Sequence, residues 1–186
     1  IYQLGIHRLI CGDSTKQEFL DALMDGEQAD LLVTDPPYNV DYQAKGKMKV
    51  ANDHMADVIL VAVLPDTLQN ANDSMKPGAA FYIWHADSQG FNFRTAVKNI
   101  GWETRQCLIW NKNSLVLGRQ DYQWKHEPCL YGWKEGAAHY FTNKRNLTTV
   151  LEQKLDIESM SKAEMKDLLQ QIFGGDIPTS VIDCDK

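Results

Sequence analysis

Leu31-Leu32-Val33-Thr34-Asp35-Pro36-Pro37-Tyr38-Asn39 decides how this chain is read. Leu31, Leu32 and Val33 make an uninterrupted apolar run, the pattern of a strand buried on both faces of a parallel sheet. The run stops at Asp35-Pro36-Pro37, because proline fixes φ and has no N–H to give to a ladder. Residues 35–38 therefore sit at the carboxyl edge of a predicted strand, where open α/β sheets bind their ligands. The two prolines present carbonyl acceptors without competing donors, the Asp35 carboxylate accepts as well, and Tyr38 sets a flat ring beside them. Acceptors next to a stacking face match what the exocyclic amino group of a planar base requires. A bare Asp-Pro-Pro is more often only a rigid turn; its place directly after residues 31–34, with Asn39 following, favours the site.

Upstream, residues 7–11 read as a short strand. Ser14 offers an N-cap, with Gln17 three residues on, for a helix through Leu20, Leu23 and Met24 that Gly26 closes. Downstream, Lys45, Lys47 and Lys49 lie in a polar loop. Helical periodicity runs from about Met55 to Met75, with Pro65 expected to break it in two. Lys76-Pro77-Gly78 reads as a turn, residues 79–84 as a buried strand, 91–100 as a helix and 104–110 as a strand. Residues 128–133 and Tyr140-Phe141 read as strands with no helix between them, which predicts an antiparallel end. Met165, Leu168, Leu169, Ile172 and Phe173 mark the apolar face of a late helix stopped by Gly174-Gly175. Alternating strands and helices of this kind predict an α/β fold with parallel strands, an antiparallel end and a C-terminal helical segment.

The 186 residues suit one domain, and 44% hydrophobic with 24% charged residues is the balance of a globular protein. Nineteen Lys and Arg against 25 Asp and Glu give a net charge of −6, which excludes a uniformly basic surface. The charge is uneven: residues 94–145 hold nine basic and four acidic residues, while both flanks are acidic. That segment also carries Trp102, Trp110, Tyr122, Trp124, Tyr131, Trp133, Tyr140 and Phe141, and cations interleaved with rings suit phosphates and unstacked bases. Rings at this density also build ordinary β-cores. No apolar run approaches the ~20 residues of a membrane span, and no signal-peptide pattern opens the chain. Cys11, Cys107, Cys129 and Cys184 are widely spaced, so reduced thiols in a cytoplasmic protein are expected, and no metal site is. His7, His54, His85, His126 and His139 lack ligand spacing. His85 follows the strand at 79–84, where a plain hydrogen-bonded histidine is a stronger expectation than a cleft residue. Ile1 in place of Met leads us to expect a piece of a larger product.

Thr34-Asp35-Pro36-Pro37-Tyr38-Asn39 resembles motif IV of the amino-group DNA methyltransferases, and the leading aspartate resembles the adenine-N6 branch, since the cytosine-N4 branch usually begins with serine. The resemblance extends over almost the whole chain. Cys11-Gly12-Asp13-Ser14 resembles the segment that precedes an early motif IV. Met75-Lys76-Pro77-Gly78 with residues 79–84 resembles the helix end and strand that follow it. Ile109-Trp110-Asn111-Lys112-Asn113 and His126-Glu127-Pro128-Cys129-Leu130-Tyr131-Gly132-Trp133-Lys134 are similar to later segments of phage-type and mobile-element adenine methylases.

This resemblance implies a Rossmann-like methyltransferase sheet, S-adenosylmethionine as methyl donor and a flipped-out adenine of double-stranded DNA as acceptor. It implies that Asp35 accepts a hydrogen bond from the adenine amino group, that Pro36 C=O takes the second and that Tyr38 stacks on the extruded base, with Pro37 counted among the catalytic residues. Asp13, together with Asp35, is the implied cofactor contact, although Asp13 serves equally well as a charge favouring the next helix dipole. Lys112, Arg119, Lys125, Lys144 and Arg145 are the implied DNA contacts. The family's Phe-x-Gly-x-Gly cofactor motif is missing, since Phe173-Gly174-Gly175 ends a helix; in members with this motif order it is expected beyond Lys186. Residues 1–151 are therefore expected to be the catalytic portion, including the basic segment 94–145. Residues 152–186 are expected to be a helical insertion or linker toward a missing C-terminal part, with the partial sheet lacking two strands. A cytosine-N4 or RNA amino methyltransferase and a silent DNA-binding fragment stay open as alternatives, as does a homodimer.

Overall fold

The computed structural model describes residues 1–37, 57–152, 161–163 and 165–166. They divide into two compact units, one of Ile1–Cys107 with Cys129–Leu147, the other of Leu108–Pro128 with the described residues from Thr148 onward.

The first unit opens on an antiparallel hairpin of β1 (Tyr2–Leu4) and β2 (His7–Leu9), turned at Gly5 with φ 63°. Strand β2 is shorter than residues 7–11. Helix α1 (Gln17–Met24) starts later than a Ser14 cap requires: its N-cap is Lys16. The Asp13 carboxylate accepts from Thr15 N–H and Oγ1 instead, and this local turn displaces the helix start. At the other end Asp25, in the left-handed region at φ 54°, closes α1 one residue before Gly26.

Strand β3 (Ala29–Thr34) runs parallel to β4 (Met75–Trp84), and α2 (Asp57–Asp73) lies between them in the chain. Pro65 stays inside α2 and does not divide it. Leu64 and Leu68, buried on either side of the proline, hold that stretch of helix against the core. Lys76-Pro77-Gly78 is likewise not a turn that ends an element. The register steps from Ala29↔Met75 to Leu31↔Ala80, so these residues form an irregularity within β4. Gly78 is required there: its φ is +82°, and a Cβ would lie 2.5 Å from the Ala138 carbonyl oxygen. A 3-10 turn (Asp87–Gln89) leads into α3 (Gly90–Asn99).

Strands β5 (Glu103–Val116) and β6 (Trp124–Trp133) pass through both units. In the first unit the strands neighbour in the order β3-β4-β6-β5, with β6 antiparallel to β4 from Ala80↔Trp133 to Trp84↔Cys129. The antiparallel end is thus where residues 128–133 predict it. Tyr140 and Phe141 form no strand; both rings are exposed. The core joins Leu64 and Leu68 of α2, Met75, Phe81 and Ile83 of β4, Phe93 and Val97 of α3, Trp102 and Leu130. Trp102 stacks on Phe81 at 4.5 Å between ring centres, and its indole N–H donates to Asn72 Oδ1 at 2.9 Å. Only one face of β3 shares this burial. Leu31 and Val33 are 52% and 61% exposed, against the expectation of burial on both faces, because the described helices bury only the alternate residues.

In the second unit the order is β6-β5-β7, where β7 (Val150–Glu152) runs parallel to β5 in the register Ile109↔Val150 to Asn111↔Glu152. Of the late helix, Lys162, Ala163, Met165 and Lys166 are helical, and Met165 N–H donates to Ser161 C=O at 2.9 Å. Leu168, Leu169, Ile172 and Phe173 lie outside the described residues, as do Tyr38, His54, Cys184 and the lysines at 45, 47 and 49.

Candidate functional site

Asp35 leaves the sheet one residue after Thr34, the last residue of β3, whose register partner is Ile83. The carboxyl ends of two parallel strands therefore lie side by side, followed by Asp35-Pro36-Pro37 on one and His85 on the other. Asp35 and Pro37 are exposed and Pro36 is half-buried. The third strand at this edge is β6, which brings Cys129 opposite Trp84. Cys129 is fully buried, and burial, then Cys107, then the Asp35 carboxylate push its thiol up to about 12. The thiol is thus a neutral, inert wall beside Asp35. One level deeper, Tyr82 and Tyr131 pack their rings at 4.9 Å; burial first, then Tyr131 and Cys129, raise the Tyr82 phenol above its ordinary range.

His85 lies on the buried face. Its ring packs 5.3 Å from Phe93 of α3, and a Cβ on Gly90 would approach its Nε2 to 3.4 Å. Asp13 stands exposed before α1, and the hydrogen bonds from the Thr15 hydroxyl and then the Thr15 N–H hold its carboxyl below the usual range. It is a charged acceptor at neutral pH, and it also organises the turn into the helix. Among the described residues no His, Cys, Asp and Glu cluster could hold a metal ion.

The five cations expected at DNA fall into two groups. Lys112, Arg119 and Lys125 belong to the second unit. Lys112 is ion-paired with Glu127, and its ammonium lies 5.4 Å from the Trp110 ring centre. Arg119 is exposed in the β5–β6 connection. The buried Gln123 amide braces this connection, accepting from Gly118 N–H at 2.6 Å and donating to Gln120 C=O at 2.7 Å. Lys144 and Arg145 belong to the same unit as Asp35. Arg145 places its guanidinium 5.3 Å from the Phe141 ring centre. Sequence reasoning missed what continues from there: Trp133 and His139 stack at 3.7 Å with 9° between their planes, and Arg105 covers Trp133 at 4.7 Å. The three consecutive rings His139-Tyr140-Phe141 were the available signal, but they name no stacking partner.

Residues 29–175 match a family model described as DNA methylase. Among solved structures, the chain is similar to M1.HpyAVI in its SAM complex, with a TM-score of 0.55 and 15% identity over 94% of this chain and 78% of that one. It is also similar to TTHA0409 of Thermus thermophilus, with a TM-score of 0.53 and 16% identity over 90% and 75% of the two chains. The complex of TTHA0409 with S-adenosyl-L-methionine gives a TM-score of 0.51 and 17% identity over 90% and 76%. No curated protein matches. At these identities the likeness is one of fold, a mixed α/β sheet of the Rossmann-like methyltransferase kind.

Proposed function

Since the chain belongs to the DNA methylase family, we propose that it serves transfer of a methyl group from S-adenosylmethionine to N6 of an adenine turned out of double-stranded DNA. The observation that carries this reading is Asp35-Pro36-Pro37 at the carboxyl end of β3, beside the end of β4. An extruded amino group needs two acceptors, and this edge offers the exposed Asp35 carboxylate and the Pro36 carbonyl. Accepting both N–H bonds draws the nitrogen lone pair out of ring conjugation and toward attack. The neutral Cys129 thiol sets no competing charge beside Asp35. Tyr38 supplies the stacking ring that offsets part of the few kcal/mol required to flip a base.

S-adenosylmethionine, when bound, supplies an electrophilic methyl group on a sulfonium. The exposed carboxylates of Asp13 and Asp35 fit its hydroxyl and ammonium donors, and these two residues would hold it. The aspartate at position 35, through its resemblance to the adenine-N6 branch, favours adenine over cytosine.

The test is product identification. DNA incubated with the longest available version of the chain and isotopically labelled S-adenosylmethionine is digested to nucleosides and analysed by mass spectrometry. Labelled N6-methyladenine is expected. Labelled N4-methylcytosine would overturn the base assignment, and no labelled base at all would overturn the catalytic reading of this chain.

A further inference from the structure

We propose that the ring-and-cation row running from Trp133 through His139 and Phe141 to Arg145 is a DNA-holding surface, separate from the target-base site. The proposal rests on the DNA methylase reading and adds to it where the DNA outside the flipped base is held. Trp133 pairs with Ala80, four residues before Trp84 on β4, so the row begins about 13 Å along the strand from the edge where Asp35 stands.

The row is built in two layers. Arg105 is ion-paired with Glu103 and Glu135 and covers Trp133, so it fixes that indole. His139 lies flat on Trp133, and Phe141 meets His139 edge-on at 6.1 Å. The connecting loop is tied to β4: Gly78 N–H donates to Lys134 C=O at 2.8 Å, and Lys134 N–H donates to Ala79 C=O at 2.9 Å. This supporting layer is therefore rigid.

The outer layer is presented to solvent. Tyr140 is 86% and Phe141 57% exposed, and Lys144 and Arg145 are exposed beside them. Among the described residues no carboxylate pairs with Lys144 or Arg145, in contrast to Lys112 and Arg105. Large rings held out to water next to unneutralised cations fit a polyanion that carries flat bases. Arginine over an aromatic ring also keeps its outward edge for a phosphate. Contacts of this kind carry no sequence information, so the surface contributes affinity equally to all DNA.

Fluorescence anisotropy with labelled DNA of random sequence tests this on the full chain. The substitution pair Lys144→Gln with Arg145→Gln should reduce the slope of log K against log salt by about 0.9 for each phosphate no longer neutralised on duplex DNA. Phe141→Ala should weaken binding of single-stranded DNA of the same sequence roughly 5- to 100-fold, because only unpaired bases offer a face to the ring. All three residues are exposed, so the variants should melt with the parent; if Phe141→Ala does not, the cation pair carries the test alone. A parent that binds DNA while both variants keep its slope and affinity overturns the proposal and leaves the methylase reading standing. A parent that binds no DNA at any salt overturns both.

Discussion

Replacing Lys134 by methionine should loosen the first unit by an amount that follows from two hydrogen bonds. The Lys134 ammonium donates to the carbonyls of Asn72 at 2.7 Å and Met75 at 2.8 Å, at the end of α2 and the start of β4. The last turn of α2 has no basic residue of its own, so Lys134 is the cation that meets its carbonyl end. Hydrogen bonds from a charged group contribute about 1.5–3 kcal/mol each; Lys134 is only half-buried, so water replaces part of them and the expected loss is about 2–3 kcal/mol. Methionine keeps the apolar stem in place, so the loss isolates the ammonium. In a chain of this size that lowers the melting temperature by roughly 5–10 °C. Urea unfolding and thermal melting measure it, with Lys16→Met, on an exposed lysine, expected to cost no more than about 0.5 kcal/mol. A Lys134→Met variant within about 0.5 kcal/mol of the parent would refute the reasoning, since those carbonyls would then be satisfied without it.

At the proposed site, Asp35→Ala should slow single-turnover methyl transfer about 10²–10³-fold with DNA affinity intact. Tyr38→Ala should mainly weaken retention of the flipped base, by about 1–3 kcal/mol, read with a fluorescent adenine analogue; a wild-type single-turnover rate in Asp35→Ala sinks the acceptor assignment. Cys129 should resist maleimide at neutral pH while Cys11, exposed, reacts. The Cys129 thiol is raised to about 12 in the folded chain from an ordinary value near 9.0, so the folded state holds the proton longer. Stability tied to Cys129 is therefore complete below about pH 9 and is lost as pH rises toward 12; Cys129→Ala should flatten that part of a stability–pH curve. In the second unit, Arg119→Ala should reduce the magnitude of the DNA-binding salt slope by about 0.9, and Lys112→Ala by less, because Glu127 already neutralises Lys112. Equal effects of the two substitutions would show that the Glu127 pair opens on binding.

Local chemistry alone determined a good part of this protein. The proline stop after Thr34, the helical period at residues 91–100 and the apolar runs at 79–84 and 128–133 are all readable in place, because backbone restriction and side-chain alternation act within a few residues. Asp35 at a strand's carboxyl edge was legible for the same reason. What needed the tertiary structure is whatever depends on a partner far away in the chain. Lys76-Pro77-Gly78 stays inside β4 because β3 and the Ala138 carbonyl lie against it, and Pro65 stays inside α2 because Leu64 and Leu68 are buried. Leu31 and Val33 are exposed because burial of a strand's second face is a property of what packs on it, not of its own residues. The same holds for charge and rings. Glu127 removes Lys112 from the free cations, Cys129 arrives beside Asp35 only through the order β3-β4-β6, and Trp133 meets His139 only because the chain after β6 folds back over it. Spacing along the chain can propose which residues carry charge and which are flat; only strand order and register decide which of them touch.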